Sequence, residues 1–295
     1  MGCRDISPSR GRRRASGGGP LPLVSVVVPT RNSGATLLRC LQSIRDQDYL
    51  RIEVIVVDNG STDDTVNIAN MMADIVIAGG HERSEQANLG VNSAHGSFVF
   101  RLDADFVLDR RVVAECVNLC LDGADAVAVH NTPDASVSWI ARVRKFEVDM
   151  YRGDRVHTSA RFVRKEVYLA VGGMDEALVA GEDYDFQNRL TAGGWRTDFA
   201  SAEAIHLGEP RLLRAHLAKY FAYGEQFVTF VEKNPRRPSG QLGLWRPVYF
   251  RHWRSFVKRP GLGCLFLVYT LLKFGAGALG YGRGVVRRRL GSSIE

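Results

Sequence analysis

Two aspartates, Asp103 and Asp105, lie in the stretch "FVFRLDADFVLD", directly after an apolar run that reads as a buried strand. Side chains two apart on a strand point the same way, so both carboxylates share one side of the strand tip. Two such groups repel, and burying either is costly unless something positive lies between them. A hard divalent cation, Mg²⁺ or Mn²⁺, typically shared with substrate phosphates, meets that need. Asp58 ends a second apolar run, "IEVIVVD", and Glu182 and Asp183 open a helix-like stretch in "GEDYDFQNRL". A carboxylate at Glu182 or Asp183 has the chemistry of a general base, although a helix start attracts acids through its macrodipole alone. His206, in "AIHLGEP", follows a short strand and is open to a structural role or to a metal or diphosphate contact. Asp109 is followed by Arg110 and Arg111 and reads as a cap on the next helix.

These residues need a frame that brings them together. "LVSVVVPT" (Leu23 to Thr30) is a short β-branched run ended by Pro29, as expected of a strand buried on both faces. Ser33 then stands as an N-cap before Leu37, Leu38, Leu41 and Ile44 at helical spacing. "IEVIVVD", "ADIVIAG" and "SFVFRLD" supply further strands, separated by a helix start near Thr62 to Thr65 and by "SEQANLGVNSA". Strands alternating with helices predict a doubly wound, mostly parallel α/β sheet. Ligands bind beyond the carboxyl ends of such strands, where "PTRN", Asp58 to Ser61 and "DAD" all fall.

The chain has 295 residues, 45% of them hydrophobic and 24% charged, which are ordinary globular values. Its net charge of +7 is clustered at Arg10 to Arg14 and at Arg283 and Arg287 to Arg289, as suits phosphate-bearing partners. Cys3, Cys40, Cys116, Cys120 and Cys264 contain no CxxC pair, so a reducing, cytosolic setting and core packing are expected. Residues 1–22 are rich in Arg, Gly, Ser and Pro and read as a disordered basic tail.

Past Pro210 the pattern becomes helical. In "RPVYFRHWRSFVKRP" Tyr249, Trp253 and Phe256 share a face, which predicts an interfacial helix. Gly261 to Gly282 follows with Lys273 as its sole charge, long enough to span or dip into a bilayer, or else to pack on the α/β body. Its "GAGALG" formally matches GxGxxG at Gly275, Gly277 and Gly280, but no strand precedes it, so a dinucleotide site is not expected.

Taken in order, "VSVVVPTRNSGATLLRCLQSI", "EVIVVDNGSTDDT", "RLDADF" and "GGMDEALVAGEDYDFQNRL" resemble the family 2 glycosyltransferases, inverting enzymes of the GT-A fold, over about Leu23 to Pro210. The resemblance implies a GT-A catalytic domain over 23–210, with residues 211–295 as a helical, membrane-associating extension. It also implies transfer of a sugar from a nucleotide-sugar donor with inversion at the anomeric carbon. Carried over, Pro29, Thr30, Arg31, Asn32 and Asp58 would cradle the nucleoside. Asp103 and Asp105 would be the DxD pair, with Asp105 most directly on the metal and His206 as a further ligand. Arg83 and Asn88 resemble the segment crossing the nucleotide pocket, Arg83 pairing with a phosphate or else with Glu82 or Glu85. Arg101 would flank the site or pair with an acid. Asp183 would be the catalytic base, with Glu182 orienting it or the acceptor. The basic, aromatic and apolar tail points to a lipid-linked acceptor, a polyprenyl phosphate or lipid-linked saccharide, at the cytoplasmic face of a membrane. A sugar-nucleotide nucleotidyltransferase, or a non-catalytic basic membrane- or nucleic-acid-binding protein, stands as the alternative, although no nucleic-acid motif appears.

Overall fold

The computed structural model describes residues 20–234, 243 and 246–291, so nearly all of the expected basic tail lies outside the described residues. The first half alternates strand and helix: β1 (Val24–Thr30), α1 (Gly34–Arg45), β2 (Ile52–Asp58), α2 (Thr65–Met72), β3 (Ile75–Ala78), α3 (Arg83–Ser93) and β4 (Phe98–Arg101). All three strand pairings here, β3–β2, β2–β1 and β1–β4, are parallel. Their β-branched residues alternate between two cores, since successive side chains leave opposite faces. Val24, Val26 and Val28 pack under Leu37, Leu41 and Ile44 of α1. Val27, Ile55 and Val57 pack on the other face with Ala87 and Val91 of α3.

The second half runs β5 (Phe106–Leu108), α4 (Val112–Leu121), β6 (Ala126–Pro133), α5 (Trp139–Met150), β7 (Phe162–Arg164), α6 (Lys165–Ala170), α7 (Glu182–Ala192) and β8 (Thr197–His206). One sheet in the order β3-β2-β1-β4-β7-β6-β8-β5 results. It is doubly wound and mixed: β7 is antiparallel to β4 and β6, and β5 to β8. The antiparallel members were not separable in the sequence, because a strand buried on both faces reads alike in either direction. Cys116 and Cys120, on the inner face of α4, are wholly buried in the core, as expected. Ser33 does occupy the N-cap of α1, but its side chain makes no cap bond; Asp63 takes the Gly34 N–H instead, at 2.9 Å.

After β8 the chain is helical: α8 (Leu213–Lys233), α9 (Pro247–Arg251), α10 (Trp253–Lys258) and α11 (Pro260–Gly291). These helices are built onto the sheet body through α5, whose Ile140, Val143, Phe146 and Met150 share a core with Val248, Tyr249, Phe266 and Tyr269. Tyr249 and Phe256 therefore face inward, correcting the expected interfacial face. Phe250, Trp253 and Val257 are the large apolar residues exposed there. Lys273 is buried, its ammonium donating to both oxygens of Glu147 on α5 at 2.6 and 2.7 Å. The sole charge of the apolar segment thus anchors α11 to the body, in a pair that is costly to bury unless complete.

"GAGALG" is helical rather than a nucleotide loop, and its Gly280 joins Gly224 of α8 in a packing seam. A Cβ at Gly280 would lie 1.9 Å from the Phe221 carbonyl oxygen, and one at Gly224 would lie 2.1 Å from that of Gly277. Backbone meets backbone between α8 and α11, which only glycine permits. Gly280→Ala is expected to cost about 1–3 kcal/mol, a fall in Tm of about 2–8 °C. Gly282→Ala, on the same helix with nothing within 4 Å of its Cβ, should leave Tm unchanged or raise it. Equal effects of the two substitutions in a thermal melt would refute the seam.

Candidate active site

The carboxyl edge of the sheet gathers the polar strand tips. Thr30 ends β1 and its hydroxyl donates to Asp58 Oδ1 at 2.9 Å. Asp58 also accepts from the Ser61 hydroxyl at 2.5 Å and the Ser61 N–H at 2.8 Å. Its carboxylate is thus buried and satisfied behind the loop, bracing it, and is not in the wall of the cavity that the loop lines, correcting the expected direct nucleoside contact. Asn32, at φ 50°, uses its Oδ1 to accept from the Thr62 N–H at 2.9 Å. Gln86 of α3 donates to the Thr30 and Val57 carbonyls at 2.9 and 2.6 Å. Pro29, Thr30, Arg31 and Asn32 together line a cavity of about 840 Å³ whose far wall holds Asp103, Asp105 and His206.

Asp103 and Asp105 are separated in role by their partners. Asp105 Oδ2 lies 3.1 Å from His206 Nε2, and His206 Nδ1 lies 2.6 Å from Glu209 Oε1. Arg144 holds the other Glu209 oxygen at 2.5 Å. Burial works against a charged ring, but the bonds to Asp105 and Glu209 outweigh it and hold His206 above the ordinary histidine range. A Cβ at Gly208 would lie 2.4 Å from Asp105 Oδ2, so the loop after β8 closes tightly over this carboxylate, and a side chain there would have to displace it. Among the described residues no three His, Cys, Asp or Glu side chains form a complete metal cage. A carboxylate and an oriented imidazole side by side, with room for substrate oxygens, nevertheless fit an Mg²⁺ or Mn²⁺ ion that takes its remaining ligands from phosphate and water.

Asp103 turns the other way and accepts from Arg161 at 2.7 Å, correcting the expectation that both carboxylates share one side and one cation, because the strand ends at Arg101 and both acids lie in the turn beyond it. Burial would raise its pKa, but Arg161, Arg83 and Arg101 outweigh that and hold it well below the usual carboxylate range. The expected acidic helix start is α7, preceded by Gly181 at φ 85°. A Cβ on Gly181 would lie 2.8 Å from the Phe230 ring of α8, so the C-terminal helices pack directly on this turn. Arg101 donates to Asp183 Oδ1, and Arg161 approaches its Oδ2 at 3.5 Å. Asp183 is consequently held below the ordinary aspartate range, since these guanidiniums outweigh its burial. Glu182 is pushed up by burial and by Asp183 beside it, despite the Arg83 contact at 2.8 Å.

A second cavity of about 400 Å³ lies beyond the acids, lined by Glu182, Asp183, Tyr184, His157 and Ser159. It shares Arg83, Arg161 and Tyr223 with the first, so the guanidiniums stand on the common wall. Several expectations are sharpened or corrected. Arg101 pairs with an acid. Arg83 pairs with Glu182, and neither Glu82 nor Glu85 takes it. Asn88 is not in the cavity wall, correcting the expected nucleotide contact. Its amide donates to the Met174 carbonyl and Glu176 at 2.9 and 2.8 Å, and its oxygen accepts from Tyr168 at 2.7 Å. Asp109 accepts from the Arg111 N–H at 3.0 Å ahead of α4, a structural role, but Arg111 and not Asp109 occupies the N-cap, correcting the expected cap. Arg161, Arg144, Glu209 and Tyr223 belong to the site as well. Arg161, Arg144 and Tyr223 carried no local signal and arrive by tertiary folding, whereas Glu209 lies three residues from His206 in "AIHLGEP", a local signal that the sequence reading misses.

Comparisons with known proteins agree with this geometry. The family description Glycosyl transferase family 2 matches residues 25–166, and Glycosyl transferase family group 2 matches residues 98–275. Glycosyltransferase AglE of Haloferax volcanii is 27% identical over 249 residues, covering 78% of this chain and 82% of the relative. A Mycobacterium tuberculosis protein, MT1568, is 31% identical over 196 residues, and the match spans 58% of its length. Among solved structures, the mannosyltransferase PcManGT of Pyrobaculum calidifontis, in complex with GDP-Man and Mn²⁺, superposes with a TM-score of 0.59 at 19% identity, covering 92% of this chain and 80% of that one. S. aureus TarS 1-349 in complex with UDP-GlcNAc gives 0.50 at 17% identity, covering 70% and 66%. Two cavities meeting across paired acids and arginines, on a sheet that superposes on these enzymes, belong with the sequence matches: the chain is a member of the family 2 glycosyltransferases, with a GT-A-like fold.

Proposed function

We propose that this enzyme transfers a sugar from a nucleotide-sugar donor, with inversion and with a divalent cation, to a lipid-linked acceptor such as a polyprenyl phosphate or lipid-linked saccharide at a membrane surface. The observation that carries the reading is that a donor-sized cavity meets a second cavity, lined by Glu182 and Asp183, at Arg83, Arg161 and Tyr223. The GDP-Man and UDP-GlcNAc complexes of the structural neighbours support a nucleotide-sugar in the larger cavity. Pro29 to Asn32 would frame the nucleoside, with Asp58 bracing that loop from behind. Asp105 and His206 would hold the cation, which when bound neutralises charge building on the diphosphate.

Asp183 would act as base. It takes the proton of the acceptor hydroxyl as that oxygen bonds to the anomeric carbon and the bond from that carbon to the diphosphate oxygen breaks. In the structure Asp183 is held by Arg101 and Arg161, which weakens it as a base. A diphosphate in the larger cavity competes for Arg161 and so strengthens the base only when donor is present. Glu182, tied to Arg83, would orient the acceptor side. No observation favours the nucleotidyltransferase or non-catalytic readings.

The acceptor and the membrane reading rest on α11. It is long and apolar enough to cross a membrane by length and composition. Yet one face of it, through Phe266, Tyr269, Lys273 and Gly280, is buried against the body, while Leu267, Val268, Leu271 and Leu279 on the other are exposed. A helix packed along its length in this way fits docking in the plane of the cytoplasmic leaflet better than a span.

A screen of UDP-, GDP- and dTDP-sugars by thermal shift, with and without Mn²⁺, should find one donor that stabilises the protein, since ligand binding to the folded state alone raises its stability. If none binds or is hydrolysed, the reading fails. Asp105→Ala or chelation should abolish transfer, with Mn²⁺ or Mg²⁺ restoring activity only to the chelated wild type. Asp183→Asn should reduce turnover by about 10²–10⁴-fold while the donor-induced shift persists; loss of that shift would reassign the residue to donor binding. Replacing Leu267, Leu271 and Leu279 by Gln should move the protein out of the membrane fraction with donor hydrolysis retained. An unchanged fraction would place the attachment elsewhere.

A further inference from the structure

A cavity of about 640 Å³ lies between α5 and the passage from α10 into α11, and it shares no lining residue with the two cavities of the active site. Arg142 and Lys145 reach it from α5, and Lys258 and Arg259 from the end of α10. Asp149 is the acid facing them, so these four cations less one carboxylate leave +3, with His252 counted neutral. Lys145 is paired with Asp149 at 3.1 Å, and Asp149 also meets His130 at 3.4 Å. Arg142, Lys258 and Arg259 are exposed, and no ion pair is formed by them among the described residues. Like charges converging on one hollow repel, and an anion between them converts that repulsion into attraction.

Apolar surface begins at the same rim. Trp253 and Val257 of α10 are 57% and 68% exposed, and Leu265 and Val268 open the exposed face of α11 immediately beyond Arg259. A soluble phosphoester would use the cations but leave this surface in water. A lipid uses both, with its phosphate among the cations and its chains along α11.

We propose that this cavity binds the headgroup of an anionic phospholipid, through Arg142, Lys258 and Arg259, and so sets where the enzyme rests on the bilayer. The inference rests on the membrane-surface reading of α11 given above. Binding here leaves both active-site cavities open, so the lipid is a docking ligand and not the acceptor.

The test is flotation of the full chain with vesicles of phosphatidylcholine alone and of phosphatidylcholine with about one third phosphatidylglycerol, a charge density at which each basic contact is appreciable. The wild type should prefer the anionic vesicles by about tenfold or more. A triple variant, Arg142→Ala, Lys258→Ala and Arg259→Ala, should lose most of that preference while keeping neutral-vesicle binding, thermal stability and donor hydrolysis. The charge-matched variant Arg251→Ala, Arg254→Ala and Arg287→Ala, which touches no wall of the cavity, should retain it. Equal losses in the two triple variants would mean diffuse electrostatic attraction and overturn the site. Vesicle binding without anionic preference overturns the headgroup inference alone, whereas no vesicle binding overturns the membrane reading with it. Thermal stabilisation by glycerol 1-phosphate that depends on Arg142, Lys258 and Arg259, with no vesicle preference, would reassign the cavity to a soluble phosphoester.

Discussion

The structure depends on neutralising three carboxylates at the carboxyl edge of one sheet. Asp103, Glu182 and Asp183 are drawn together by the fold, where like charges in partly buried positions repel unless guanidiniums offset them. Arg161 reaches both Asp103 and Asp183, Arg101 holds Asp183, and Arg83 holds Glu182. Planar, permanently charged guanidiniums suit this task, because they bridge two acids at once and do not lose their proton on burial. The same property makes them phosphate ligands. The groups that stabilise the resting site are therefore ones a diphosphate would engage, and on the proposed roles donor binding and exposure of Asp183 would draw on one set of contacts.

The helices after β8 complete the site as well as extending it. Phe230 of α8 packs on Gly181 and so braces the turn that presents Glu182 and Asp183. Tyr223 of the same helix stands on the wall shared by the two cavities. α8 is itself held by α11 through a seam of glycines, and α11 by Lys273 on Glu147. Contact with a membrane along the outer face of α11 would thus be linked to the turn presenting Glu182 and Asp183 through directly packed elements.

Much of the frame was legible in the sequence, because β-branched runs alternating with amphipathic helices leave few other ways to bury their apolar faces. The acids at the strand tips and at the start of α7 stood out for a local reason: charged groups directly abutting buried segments. Asn88 misled, since an amide near the nucleotide segment looks the same whether it faces a ligand or brackets a loop. Tyr249 and Phe256 misled for a related reason. Helical spacing says that residues share a face, but not whether lipid or protein covers it.

Sequence by itself determined the α/β alternation, the placing of Asp58, Asp103 and Asp105 at strand tips, the acidic opening of α7 and the apolar length of α11. Each of these is a matter of residue type at short spacing. Tertiary structure alone decided that Asp105 faces His206 while Asp103 faces Arg161, that Arg101 holds Asp183, that Gly280 seats α11 against α8, and that Lys273 is paired inside the protein. Those outcomes turn on partners far apart in the chain, and the charge and hydrogen-bonding capacity of one residue do not specify which distant group will satisfy them.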